Sequence, residues 1–527
     1  MLDRLRSFIN RVPRSGSRQP AHTSQSIFEL IAVQVSLNPN SPIDEEAFPK
    51  IRLNEESDIL MAAGVSDAVI AATSERGKDL KVVKEIVSEI DRGKVSEWQR
   101  LETRLGGIRA IDSVDAVLGD LERTGFSPRA ARLFWTMAKH GSNYEAIKWG
   151  IALGSLKDAE EKLSDLLLFA RHPEFTLYSS VAILRMAALK PELNRYLVEL
   201  LPPSRQWAVI SLIRRIVHEP SLIHDSEVQR KILIYGMENN DGIPMEVAFT
   251  IAENIDLSGF LDLAKTDGRV YVAICELMRT LITQPNPHGG IEQLPDPDSL
   301  VARYVHTLRE RASDVRMILA LDVLRDYLGA SKTAGNKRLD LLARVQQLWT
   351  ERFDDDVLRA GLKHADTRWR TLCLIEKLKI NSVLPDVREA FRREPDYASI
   401  SVLAELGTLE DLEMLFSSIP QLVNLQERAG KELSPINVFG PESKGASEYG
   451  RIIEALARLA TPDAIQKIKI AASDYDPMVR QSACKALLKL PIDKVDAEIA
   501  SLIHERLKDP MAYVRHAATQ AKARLVV

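Results

Sequence analysis

Several features that would announce a chemistry or a compartment are scarce in this chain. Its three cysteines, Cys275, Cys373 and Cys484, are far apart and odd in number, which excludes a disulfide framework and fits a reducing, cytoplasmic setting. Each stands in an apolar helical context and reads as a small buried residue. No stretch approaches the roughly 18 consecutive apolar residues of a spanning helix, so no transmembrane segment is predicted. Neither sign of charge dominates: 70 Lys and Arg against 74 Asp and Glu leave a net charge of -4, which excludes polyanion binding through bulk charge. Glycine and proline, at 25 each, are too few for a fibrous or disordered chain. What is present is 45% hydrophobic and 27% charged residues over 527 positions, enough for several domains or one elongated array.

A repeat decides between those two. DYDPMVRQSACKALLKL from Asp474 overlays DPMAYVRHAATQAKARL at an offset of 35, and Asp474/Asp509, Val479/Val514, Arg480/Arg515, Ala483/Ala518 and Ala486/Ala521 are identical. Upstream, Ala464, Ile468 and Ala472 match Ile499, Ile503 and Leu507 at spacings of four, one face of an α-helix. Each unit therefore reads as helix, turn, helix. Asp474 and Asp509 can accept backbone N–H groups in the turn, Pro477 and Pro510 can stop the first helix, and the alanines let helices approach closely. Such a hairpin cannot bury its apolar face alone and must stack on copies of itself.

The pattern D-x-D-P-x-V-R-x-x-A-x-x-A-L resembles the HEAT repeat, particularly the short form of phycobilisome-lyase-type proteins, over Thr461 to Val527. The resemblance implies a ladder between neighbouring repeats built from Asp474, Arg480, Asp509 and Arg515. It carries no activity, since the repeat is shared by adaptors, transport factors, lyases and a few DNA enzymes. EALARLATPDA from Glu454 aligns with KALLKLPIDKV at an offset of 31, and Thr408 to Ser418 is its expected partner helix. HADTRWRTLCLIEKL from His364 repeats the pattern loosely, with Asp366, Arg370 and Cys373 in the Asp, Arg and Ala places. The middle region, in segments such as AIKWGIAL and EFTLYSSVAIL, resembles a group of uncharacterised bacterial HEAT-like proteins.

These readings divide the chain into a basic tail and linker (1–26), a helical capping region (27–141), degenerate repeats (142–283), a Pro/Gly-rich loop (284–298), HEAT-like repeats (299–423), an inserted loop (424–447) and clear repeats (448–527). In the tail, Leu2, Leu5, Phe8, Ile9 and Val12 fall at helical spacing among arginines, the pattern of an interfacial anchor, an organelle presequence or a frayed basic helix. The inserted loop sets Ile436, Val438 and Phe439 beside Pro435 and Pro441, either to hold a partner or to fold back on its own repeat.

Motif chemistry fails position by position. GPESKGAS has Gly440 and Gly445 at phosphate-loop spacing, but Ala446 stands where the lysine must be. His218, Glu219 and His224 cluster, yet Pro220 breaks the helix their geometry would need for zinc. Asp354, Asp355 and Asp356 lack the glycine of a calcium loop and read as a helix start. No Gly-x-Ser-x-Gly elbow occurs. No catalytic, cofactor or metal residues are therefore nominated. From Val479 to Val527 nine basic residues face five acidic ones, and Lys489 and Arg524 recur at corresponding positions, a candidate polyanion stripe unless the arginines are used internally.

The sequence thus predicts an all-α, right-handed α-solenoid of HEAT-like hairpins acting as a protein-interaction scaffold that holds another protein or peptide. The alternatives are a nucleic-acid-binding protein or HEAT-like DNA-processing enzyme using the basic stripe, and a membrane-peripheral adaptor held by the first twelve residues.

Overall fold

Several helix starts in this chain are written as a polar cap followed by proline. Ser127, His172, Asp296, Thr461 and Asp476 each precede a proline and accept the backbone N–H of Ala130, Glu174, Ser299, Ala464 and Met478 respectively. Proline at the first helical position costs no hydrogen bond and its φ is already helical. The cap satisfies one of the donors that a helix end leaves free.

The computed structural model describes residues 26–49, 51–52, 60–61, 63–64, 67, 79–158, 160–238, 245–283, 290–330, 336–433 and 445–525. Apart from one antiparallel pair of two-residue strands, Ile51–Arg52 and Leu60–Met61, the described elements are helices. Two compact units divide the chain, residues 1–311 and 312–527. Their boundary falls inside 299–423, which the sequence treats as one block. The nominated anchor, residues 1–12, lies outside the described residues.

In the first unit, helices Ala110–Thr124, Tyr144–Gly154, Pro173–Ala187 and Gln206–Ile216 pack side by side in one layer. Helices such as Pro128–His140 and Leu163–Phe169 cover them from behind. The crossing between Pro128–His140 and Tyr144–Gly154 is close: a methyl group on Gly150 would sit 2.8 Å from the Ala138 methyl and 2.8 Å from the Phe134 carbonyl oxygen. The second unit repeats the scheme. Helices Ala365–Leu378, Tyr397–Leu406, Ala446–Leu459, Pro477–Lys489 and Ala512–Leu525 stack in one layer. Asp355–Lys363, Leu384–Arg393, Leu409–Leu422, Pro462–Ala472 and Ala497–Arg506 form the other. Each unit is thus a stack of helical hairpins, an all-α solenoid.

Three local readings need correction. Pro477 does not stop the first helix, which ends at Ala472; it opens the second, Pro477–Lys489, whose N-cap is Asp476. In helix Ala365–Leu378 the buried residues Thr367, Thr371, Leu372, Leu374 and Ile375 fall where Val479, Ala483, Cys484, Ala486 and Leu487 are buried in Pro477–Lys489. This register, an offset of 112, makes Arg368 the counterpart of Arg480, two residues before the Arg370 chosen from sequence. The same shift turns Cys373 outward, so it is exposed while Cys275 and Cys484 are buried.

Ala483 is fully buried in Pro477–Lys489, the helix that packs against Ala446–Leu459 and Ala512–Leu525. Ala483→Leu is expected to destabilise by about 1–3 kcal/mol through overpacking. Circular dichroism melts check it, and an unchanged midpoint would contradict the packing described.

Candidate functional site

Guanidinium groups tie one repeat of the second unit to the next. Arg480 is fully buried and grips the Asp509 carboxylate with two hydrogen bonds, 2.7 Å from Nε and 3.0 Å from Nη2. Its Nη1 donates to the carbonyls of Asp474, 2.9 Å, and Tyr475, 2.6 Å, in its own turn. Asp509 also accepts from the Met511 N–H and from Arg506. Arg515, one repeat later, donates to the Asp509 and Pro510 carbonyls and is exposed. Earlier repeats use the same bond: Arg388 chelates Asp411 at 2.6 and 2.8 Å, Arg359 meets Asp386 at 3.2 Å, and Arg368 meets Asp396 at 3.3 Å and Glu394 at 2.5 Å.

One rung has an unusual donor. The offset of 31 puts Tyr449 of helix Ala446–Leu459 in the place of Arg480, so the ladder position of that helix carries no guanidinium. Arg428, from the inserted segment, fills the gap. The short helix Leu425–Arg428, capped by Asn424, delivers it buried to Asp474, with 2.9 Å from Nε and 2.8 Å from Nη2. Its guanidinium lies over the rings of Tyr475, 4.7 Å, and Tyr449, 5.8 Å, within cation–π range. Asp474 is left to accept the Asp476 N–H at 2.8 Å, holding the turn. The base of the insertion is therefore part of the stack, whereas Ile436, Val438 and Phe439 lie outside the described residues.

The nominated basic stripe is partly engaged. Lys489 bonds Glu454 on the neighbouring helix at 2.6 Å, while Arg524 is exposed on the helix Ala512–Leu525. Glu454 in turn faces Arg451, which bonds Ser401 at 3.0 Å and Glu376 at 3.3 Å, so a second, more exposed ladder crosses four helices. Partly exposed pairs of this kind contribute little each, about 0–1 kcal/mol. Among the described residues, no three His, Cys, Asp or Glu side chains are grouped so as to hold a metal ion.

The first unit contains two features that the sequence did not flag. Lys148 is fully buried, with its ammonium 2.6 Å from Glu174, 2.7 Å from Glu145 and 2.9 Å from Asp67. Glu174 also accepts the Gly64 N–H at 2.5 Å, so Gly64 and Asp67 are both fastened to the helices Tyr144–Gly154 and Pro173–Ala187. The adjacent His172 is kept neutral, its pKa pushed down to about 3 by burial and by Lys148, and its Nδ1 serves as the cap acceptor.

The second feature is a groove across the side-by-side helices. Ile111, Val114, Leu118, Leu177, Val181 and Ala182 contribute its apolar surface, and a pocket of about 60 Å³ opens there. Asp115, Arg185 and Arg215 provide its charge. Arg185 pairs with Glu122. Arg215 makes no ion pair or hydrogen bond with a described residue; burial pulls its pKa down, and Asp115 offsets part of that. This groove was invisible in sequence because its lining comes from helices as far apart as Ile111 and Arg215.

Residues 447–523, which contain the Arg480–Asp509 bond, match the family model for HEAT repeats. That segment is thus similar to HEAT repeats, and it continues the stack of helical hairpins seen in the second unit. No curated protein sequence matches the chain. Among solved structures, a crystal structure of importin beta in an ammonium sulfate condition is similar at 13% identity and a TM-score of 0.32, over 81% of this chain. The match covers 59% of the importin beta chain. A structure concerning a phosphorylation switch in the interaction between cadherin and beta-catenin is similar at 11% identity and a TM-score of 0.28, over 78% of this chain and 97% of that one.

Asp474 and Asp509 differ in how many buried arginines they meet. Asp509 neutralises two buried arginines, Arg480 and Arg506, and Asp474 one. Leaving a buried charge unpaired costs on the order of 3–5 kcal/mol. Urea unfolding should therefore show Asp509→Ala at least as damaging as Asp474→Ala, and Arg428→Ala comparable to the latter. Near-wild-type stability of Arg428→Ala would contradict its place in the ladder.

A pH effect follows from Lys148. Burial pushes the Asp67 carboxyl up to about 6; Lys148 pulls it back, and Glu145 and Glu174 add to the push. Folded Asp67 thus binds its proton more tightly than the unfolded chain does, so its stabilising contribution is full in acid and is lost as pH rises through about 6. Relative to wild type, Asp67→Asn should gain in melting temperature between pH 5 and 8, roughly the range over which such a group ionises. A difference constant with pH would contradict it.

Proposed function

We propose that the chain is a non-catalytic protein-interaction scaffold: the stacked hairpins form the frame, and the layer of side-by-side helices in the first unit holds a segment of another protein. The observation that carries this reading is the groove lined by Leu177, Val181 and Ala182, which combines an apolar floor with Asp115, Arg185 and Arg215 at its edges. Concave sites of this composition, mostly apolar with a few polar groups to orient the occupant, are those that bind with specificity. Side-by-side repeat helices supply such surfaces without any convergent catalytic set.

The nucleic-acid reading draws less support. Arg480 and Arg506 are spent on Asp509 and Lys489 on Glu454, so of the nominated pair only Arg524 stands exposed with no partner among the described residues, although Lys508, Arg515 and Lys522 are also exposed nearby. The membrane reading rests on residues 1–12, outside the described part of the chain.

The test is capture with the immobilised full chain. Wild type and a Lys489→Gln control should retain a stoichiometric protein partner that Val181→Arg loses while its melting point stays within a few degrees. Salt-dependent retention of DNA or heparin with no protein partner would sink the reading.

A further inference from the structure

The chemistry of the groove narrows what it can hold. Its lining carries two guanidinium groups against one carboxylate, Asp115. Burial lowers the pKa of both arginines, the sign of cations that have lost water without full compensation, and Asp115 only partly restores them. Arg185 has Glu122 as a partner at its outer end. Arg215, half-buried, has no ion pair or hydrogen bond with a described residue. A guanidinium in that position is completed by a carboxylate or phosphate, which it can bind through two parallel N–H donors.

The floor excludes one of those sources. Ile111, Val114, Leu118, Leu177 and Val181 are aliphatic, and the lining's aromatic residue, Tyr178, is buried within its helix packing. Nucleic acid held without sequence reading needs exposed rings to stack on and several cations along its backbone. An aliphatic floor with a pocket of about 60 Å³ suits one branched or aromatic side chain instead. Four adjacent helices spaced about 8–10 Å apart give a groove of roughly 24–30 Å, the length of an extended peptide of about eight residues.

We propose, building on the scaffold reading, that this groove binds an extended acidic peptide segment, placing an apolar anchor residue among Leu177, Val181 and Ala182 and an adjacent Asp or Glu carboxylate on Arg215. The carboxylate supplies the missing partner of Arg215, and the anchor supplies the buried area. Asp115 sets the direction, because it repels a second acidic residue on its side of the groove.

The experiment is selection of phage-displayed random dodecapeptides on the purified full chain at physiological salt. Synthetic fluorescein-labelled copies of the selected peptides are then titrated by fluorescence anisotropy. The expected peptides carry Asp or Glu within three residues of Leu, Ile, Val, Phe or Trp. Changing that residue to its amide should weaken binding to the wild-type chain about tenfold or more, as for loss of a charge-assisted hydrogen bond. Arg215→Gln should weaken the acidic peptide by a similar factor and the amide peptide little. The peptide arm uses the wild-type chain, so it stands even if a variant misfolds. Peptides that bind wild type and Arg215→Gln equally, or that need no acid, overturn the groove proposal and leave the scaffold reading in place. Failure to enrich any peptide, with binding of a single-stranded oligonucleotide, overturns both.

Discussion

A guanidinium chelating a carboxylate, buried between neighbouring hairpins, is the interaction on which the second unit depends. Arg480 and Asp509 are both shut off from water, and their geometry is strict: two donors meet two acceptors, and the remaining donor reaches two carbonyls of the preceding turn. Apolar packing alone would let one hairpin slide or rotate on the next, since hydrophobic contact has no direction. A buried bidentate pair tolerates neither, because a small displacement leaves a charge desolvated and unpaired. The alanines at 483, 486, 518 and 521 permit the close approach, and the arginine sets the register.

The recruitment of Arg428 shows how firm that requirement is. Where the repeat itself presents Tyr449, the chain brings in a guanidinium from the inserted segment and lays it across two tyrosine rings to reach Asp474. An insertion that interrupts the repeat in sequence thereby completes it in space. In the first unit the buried ammonium of Lys148 gathers Glu145 of its own helix, Glu174 of the helix packed beside it and Asp67 from earlier in the chain, which fastens Gly64 and Asp67 to the helix stack by the same kind of force.

Much of this architecture could be read from sequence where the repeat is strong. Asp, Val, Arg and Ala recur at fixed spacing from Asp474 onward because each has one task that few other residues can do. Legibility fell off where a task could be met by another route. Two neighbouring aspartates, Asp474 and Asp476, divide the turn and the cap between them, and spacing alone cannot say which does which. Arg368 and Arg370 are both plausible ladder residues until burial of Thr367 and Thr371 fixes the helix face. Arg428 belongs to no periodic pattern, and the groove around Val181 draws single residues from successive helices, so neither leaves a local signal.

The register of the second unit depends on its buried guanidinium–carboxylate pairs staying intact. The most direct measurement of that dependence is a double-mutant cycle in urea on the full chain with Arg480→Met, Asp509→Leu and the two combined. Each single change should be strongly destabilising because it strands a buried charge, while the combined variant should regain most of the loss, a coupling of about 2 kcal/mol or more. If the two losses simply add, the buried pair does not act as a unit, and the account of how the repeats are held in register is wrong.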